Sequence, residues 1–537
     1  MTYRFYFTVR SFKKNSTLTG YGKFHYKLFI VCYLIFMNTG FGTCSTGLIV
    51  PVASCDFAMS TMDIGRLTAA PMLGMAFGSY FWACLADIRG RKVALLSALF
   101  LDATAGILSS IAPNFWLFVV LRFFNGFAII GQSAMVFPYL GEFQPSKIRE
   151  KILAWMEMAW TTGITILPRK LNDFCSMSKK REWGICLRHD PMILDFSIYS
   201  SYFLFPPSVL GWLIIPMTFN CQFYKFSFAS RNLFVLICGM VPLLIGISLC
   251  FFPETPKYLI EDGQETRAIK VLQLMYAENT RNPRESYPVE SITNNEEHLS
   301  EKSPLLLNGN AGRFVVARRT GTARMKKDKE LKKMLIEMIR HMVTIFKPPY
   351  LLKTFLCASI QFTMTSSYYT LMAWFPELFR RFAEFEEKYP GESASICTVS
   401  ESDSSNSTIS DIPCDMEIRN SVYYFTFFLG LACVPTSIWL PLCIGKLGYR
   451  FFLGEIQYCV KLRIVRSLII FSFCPCYYSV FSTVVSACVA LAMFFIASST
   501  QNIILSCIFE ALTSMGVSVV YCILVDFYPT HLRWEFS

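Results

Sequence analysis

Long apolar runs constrain this chain more than any other feature. Runs of membrane-spanning length lie at 28–50, 67–86, 93–112, 115–140, 232–252, 354–375, 422–444, 481–499 and 502–525, with a slightly short one at 152–168. About 20 apolar residues cross a bilayer core as a helix. They must be helical, because lipid offers free backbone groups no hydrogen-bond partner. Composition agrees: 53% of the 537 residues are hydrophobic, 16% are charged, and Phe alone numbers 50. A soluble chain of this size cannot hide so much apolar surface. Soluble enzymes, disordered scaffolds and nucleic-acid-binding domains are therefore poor readings. Most cysteines, such as Cys32, Cys84, Cys238 and Cys488, sit inside apolar runs, where a free thiol packs as a small apolar residue. No zinc-ligand spacing, nucleophile elbow or phosphate-cradling loop occurs, so the chain reads as neither an enzyme nor a holder of a metal or other cofactor.

Charge sets the orientation. The net charge of +12 is clumped. Arg10, Lys13, Lys14, Lys23 and Lys27 precede the first run, which is too long for a cleaved signal peptide. Basic clusters recur after the second run (Arg89, Arg91, Lys92), the fourth (Lys147, Arg149, Lys151) and the eighth (Lys446, Arg450). Connections after the first, third and ninth are nearly free of Lys and Arg. This alternation predicts a cytoplasmic N-terminus, residues 1–27. Residues 257–353 then form a charged cytoplasmic linker between an N-terminal bundle, 28–256, and a C-terminal one, 354–537. Within 318–340, five lysines interleave with Leu331, Met334, Leu335, Met338 and Ile339. That pattern fits a basic amphipathic helix on the inner leaflet or a solvated connector helix, and both readings stand. Residues 376–421 form an outer loop with the sequon Asn406-Ser407-Thr408, a glycosylation candidate, and with Cys397 and Cys414, which could pair on the oxidising side.

An internal repeat joins the bundles. Glu142-Phe143-Gln144-Pro145-Ser146-Lys147-Ile148-Arg149 and Asp526-Phe527-Tyr528-Pro529-Thr530-His531-Leu532-Arg533 carry acid, Phe, Pro, aliphatic and Arg at identical spacing. Asp87-Ile88-Arg89-Gly90-Arg91-Lys92 has a weaker echo in Gly445-Lys446-Leu447-Gly448-Tyr449-Arg450. Parallel repeats of six-helix bundles mark one transporter architecture. Gly90 permits a tight turn, and Asp87, Arg91, Glu142, Arg149, Asp526 and Arg533 would form an inner charge network that holds the halves closed. Positive-inside charge around a glycine turn is the plainer account.

These motifs resemble the major facilitator superfamily. The stretch from Asp87 to Lys92 is similar to its loop motif, with Ile88 at a usually basic position. Arg122-Phe123-Phe124-Asn125-Gly126, with Gly131, resembles its fourth-helix motif, with Ala128 and Ile130 where glycines are common. Pro253-Glu254-Thr255-Pro256-Lys257-Tyr258-Leu259 resembles the signature of the sugar and organic-ion branch after helix six. More narrowly, Gly20-Tyr21-Gly22-Lys23-Phe24-His25-Tyr26-Lys27 and Ser367-Tyr368-Tyr369-Thr370-Leu371-Met372-Ala373-Trp374-Phe375-Pro376-Glu377 resemble the synaptic vesicle glycoprotein 2 and related-protein family. The vesicle glycoproteins carry a large luminal domain where this chain has only 376–421, so a shorter family member is implied. The expectation is an all-α polytopic membrane protein with the two-bundle fold and about ten of twelve helices.

Two segments break the pattern. Arg169, Lys170, Lys179, Lys180, Arg181 and Arg188 fall on what should be the outer face. Removing 169–209 would restore one span of normal length. The stretch from 448 to 526 exceeds its counterpart from 90 to 142 by nearly the length of 454–482. Both segments open on residues whose codons can spell a splice donor (Arg169-Lys170, Gly454-Glu455). Both close on residues with pyrimidine-rich codons (203–208, 471–475), which suggests translated introns; genuine family-specific loops are the alternative. Arg533-Trp534 also allows a donor, in which case the C-terminal bundle is truncated and helices eleven and twelve are missing.

Ionisable residues inside spans are functional candidates by default: Asp102, Arg122, Glu157 and Glu510. Glu157 and Arg122 could pair near a central cavity, or one could meet a charged solute. Asp102 could instead snorkel or pack between helices. Trp160 and Trp374 resemble the helix-five and helix-seven Trp of the synaptic vesicle glycoprotein 2 family, which implies ligand contact by an aromatic pair across the halves; interfacial or core packing is the plainer account. Gln361, Asn38 and Tyr369 are polar lining candidates. The leading expectation is a secondary carrier, not ATP-driven, that moves a small organic solute by alternating access, with membrane lipid and a coupling ion as further partners and no nucleic acid. It would reside in the plasma membrane or an intracellular vesicle. The alternatives are a ligand-binding or regulatory protein that kept the fold without transport, and a truncated inactive product.

Overall fold

The computed structural model describes residues 19–57, 59–145, 148–165, 220–223, 226–288, 346–348, 351–389, 428–438, 485–489, 491–493, 495 and 498–527. Six long helices form the first half: α1 (Lys23–Asp56), α2 (Thr61–Arg89), α3 (Arg91–Ser110), α4 (Phe115–Phe143), α5 (Arg149–Thr165) and α6 (Ser230–Cys250). Two shorter helices follow, α7 (Pro256–Glu261) and α8 (Glu265–Thr280). The second half contributes α9 (Leu351–Lys388), α10 (Phe428–Ile438) and α11 (Ser499–Phe527). Five of the described helices are long and apolar enough to cross a membrane, all in the first half. A small antiparallel hairpin, β1 (Asn220–Phe223) and β2 (Phe226–Ala229), leads directly into α6. It is the one departure from helix among the described elements.

Side-chain chemistry explains where helices outlast their apolar runs. α2 begins with a capping box: the Ser60 hydroxyl accepts from the Asp63 N–H while the Asp63 carboxylate accepts from the Ser60 N–H. α9 runs past residue 375 into the stretch assigned to the outer loop. Glu377 pairs with Arg380 and Arg381, each at 2.8 Å, and Arg380 also pairs with Glu384. These i,i+3 and i,i+4 pairs carry the helix on beyond its hydrophobic stretch.

The helices pack through glycines. α2 lies along α4, where a Cβ on Gly74 would stand 2.0 Å from the Phe123 carbonyl oxygen and one on Gly126 2.0 Å from the Pro71 carbonyl oxygen. α3 meets α6 at Gly106 and Gly239. Small residues let backbones approach closely where lipid supplies no hydrophobic drive between helices. The largest apolar cluster fills the first half around Leu28, Ile35, Leu95, Leu99, Tyr139 and Leu249 and extends to Leu272 of α8. A separate cluster in the second half joins Phe375, Phe379, Phe382 and Phe509. Phe77, Trp116, Leu244, Phe355 and Phe362 are exposed on helix surfaces, as lipid-facing side chains should be. The two halves meet where α9 packs on α1.

Segments 169–209 and 454–482, the basic stretch 318–340, Asn406, Cys397, Cys414 and Arg533 lie outside the described residues.

Candidate functional site

The charged rim expected on the inner side is built on one turn. Gly90 alone separates α2 from α3 and sits at φ +101°, in the left-handed region. A Cβ there would lie 2.4 Å from the Glu254 Oε2 atom. The Lys92 N–H donates to both Glu254 oxygens, at 3.0 and 3.1 Å. Burial raises the Glu254 carboxyl above its ordinary value, and that backbone donor opposes the shift. Arg91 lies 3.5 Å from Glu142 and 3.8 Å from Asp87, while Lys257 lies 3.6 Å from Glu142. The Arg91 guanidinium also stands over the Tyr258 ring, 5.5 Å from its centroid. The Tyr258 hydroxyl donates to the Ile88 carbonyl at 3.0 Å, and burial pushes its pKa up to about 12. Arg149 donates to the Gln144 carbonyl at 3.1 Å.

The described ion pairs of this network join elements of the first half to one another. Asp526 falls near the end of α11 and Arg533 outside the described residues. Glu254, Lys257 and Tyr258 were the missed partners. Their signal was the Pro253–Leu259 signature, which folds back under the α2–α3 turn as Thr255 caps α7.

A second cluster is buried within the first half. Asp102 of α3 is 3% exposed. It accepts from Asn38 Nδ2 at 3.0 Å and from Gln132 Nε2 at 2.8 Å, and Asn125 Nδ2 also donates to it. Asn38 donates in addition to Gln132 Oε1 at 2.9 Å. Arg122 stands over the Phe118 ring at 5.0 Å and lies within electrostatic reach of Asp102. A small cavity is lined by Asn38, Ser45, Asp102, Arg122 and Asn125. Asp102 therefore packs between helices and does not snorkel. Arg122 and Glu157 are not joined by an ion pair among the described residues; Asp102 is the acid near Arg122. Gln132 went unread, although Arg122, Asn125 and Gln132 mark one stripe of α4 at helical spacing.

A third cluster lies between the halves. Trp160 Nε1 of α5 donates to the Tyr368 hydroxyl of α9 at 3.5 Å. Its ring meets Tyr369 edge-on, with centroids 6.4 Å apart at 85°. Beside it the Thr161 hydroxyl hydrogen-bonds that of Ser437 on α10. Cys44 of α1 and Met372 pack against the same aromatic group. Trp374 is not the partner of Trp160: it packs against the cluster of Ile49, Val50, Phe118 and Phe234. About one and a half helical turns separate Trp374 from Tyr369 and Tyr368, which places it on another face of α9. Gln361 lies on α9.

Comparisons with known proteins agree with this architecture. Residues 2–187 match the family described as "Sugar (and other) transporter". The chain also resembles the xylose transporter XylE from E. coli in its inward-open conformation: 12% identity, TM-score 0.50, 95% of this chain and 85% of that one covered. This chain has the major facilitator fold. Among curated proteins it is similar to synaptic vesicle glycoprotein 2B of Rattus norvegicus, 27% identical over 387 residues, covering 69% of this chain and 47% of that protein. Similarity to human synaptic vesicle glycoprotein 2A is 25% over 381 residues, covering 70% and 45%. The chain thus spans about half the length of these relatives. It is a multi-pass membrane protein, and the resemblance read from residues 20–27 and 367–377 points to the same relatives.

Proposed function

We propose that the chain is a secondary carrier that moves a small organic solute by alternating access, with the solute held between the halves. The observation that carries this reading is the convergence of α1, α5, α9 and α10 on the Trp160–Tyr368–Tyr369 group. In this architecture, rocking of one bundle against the other exposes such a midplane site to each side in turn. Arg122 and Asp102, inside the first half, serve as the buried charge centre through which a coupling ion would act. Glu157 and Gln361 are further candidates for the solute path. The charge pattern supports a cytoplasmic N-terminus, and Asn406 is the proposed glycosylation site of the outer loop.

Purified full-length protein in liposomes provides the test. Counterflow of radiolabelled solutes from a panel of sugars, organic cations and organic anions should reveal saturable exchange that Trp160→Ala weakens. Saturable binding without exchange of any panel member would favour a ligand-binding role for the same fold and overturn the carrier reading.

A further inference from the structure

Glu510 on α11 has no part in the sites above. Its side chain is fully buried, and neither carboxylate oxygen has a hydrogen-bond donor at bonding geometry among the described residues. No described cationic side chain pairs with it. It stands on a buried polar stripe of an otherwise apolar helix: Asn502, Ser506, Glu510 and Thr513 recur at helical spacing, each 1% exposed or less. The Tyr368 hydroxyl is directed at it, and a buried carboxylate with no cation beside it still calls for a compensating charge. The groups in its electrostatic reach include Tyr368 of α9, Cys44 of α1 and Cys433 of α10. Tyr368 and Cys44 also belong to the aromatic group around Trp160.

We propose that Glu510 is the recognition point for a cationic ammonium group on the solute, with Tyr368, Tyr369 and Trp160 as its aromatic wall. This deepens the carrier reading and rests on it for the position of the solute. One carboxylate beside π-faces suits a weakly hydrated organic cation. A hard metal cation demands a denser oxygen shell, and no described group of three His, Cys, Asp or Glu side chains could hold a metal. The ammonium charge would neutralise the carboxylate, and the rings would cover its methyl groups.

The test uses the purified full chain and two probes, choline and 3,3-dimethylbutan-1-ol, in which carbon replaces the charged nitrogen. Calorimetric titration should give at least tenfold tighter binding of choline than of its neutral isostere. Glu510→Gln should abolish that preference, and Glu510→Asp should retain part of it. Trp160→Leu should weaken choline more than the isostere, which keeps the question open to measurement if Glu510→Gln does not fold. Equal affinity of the wild type for both probes, or an undiminished preference in folded Glu510→Gln, would overturn the proposal. The carrier reading fails separately. Choline bound through Glu510 without counterflow removes transport and leaves the cation site standing. Counterflow of neutral solutes with no choline preference removes the cation site and leaves transport.

Discussion

Gly90 shows what one residue can decide. A side chain there meets two penalties: a left-handed backbone that L-residues resist, and a carboxylate oxygen 2.4 Å from the new Cβ. Gly90→Ala should therefore lower stability by about 2 kcal/mol, read as an earlier thermal unfolding transition in detergent. Asp102 is decided by its donors. Three amide side chains aim at one carboxylate, so Asp102→Ala strands them in an apolar interior. The expected loss is about 3 kcal/mol, and Asp102→Asn should cost less because one oxygen remains to accept. A thermal-unfolding series that ranks Asn above Ala checks this; equal losses would mean that the cluster contributes no hydrogen-bond energy.

Among elements, α2 and α4 depend on having no side chain at their crossing. Gly126→Leu would drive a branched group into the Pro71 backbone, where even a Cβ is 2.0 Å from the carbonyl oxygen. Overpacking of this kind costs about 3 kcal/mol or more, and a purified variant should elute as aggregate in size-exclusion chromatography. The inner rim ties α2, α3, α4 and α7 together through Glu142, the shared partner of Arg91 and Lys257. Glu142→Gln removes the charge and keeps the shape. It should loosen this rim and raise labelling of a cysteine introduced at Ile88 by a membrane-impermeant maleimide applied from the inner side. An unchanged labelling rate would assign the network to folding alone.

At the scale of the whole molecule, the described contacts between the halves include an aromatic group. In it Trp160 reaches Tyr368 and Tyr369, and the Thr161–Ser437 hydroxyl pair stands alongside. Trp160→Ala should reduce solute affinity about tenfold, equivalent to about 1.4 kcal/mol, with little effect on the unfolding temperature. The two halves each bury an apolar cluster of their own, so under the proposed rocking mechanism each would keep that core.

Hydropathy by itself determined that the chain is a helical membrane protein, because only helices satisfy their backbone within lipid. The repeated acid-Phe-x-Pro-x-x-aliphatic-Arg text likewise marked two related bundles. The inner rim was half legible: Asp87, Gly90, Arg91 and Glu142 stood out by spacing, but Glu254 and Tyr258 reach them from more than a hundred residues away in the chain. The tertiary structure alone decided the pairings. Asp102, and not Glu157, lies near Arg122, and Tyr368 with Tyr369, not Trp374, meets Trp160. The reason is physical. A helix's period fixes which residues share a face, whereas the partner of that face depends on how helices remote in sequence rotate and slide as their glycines come into contact.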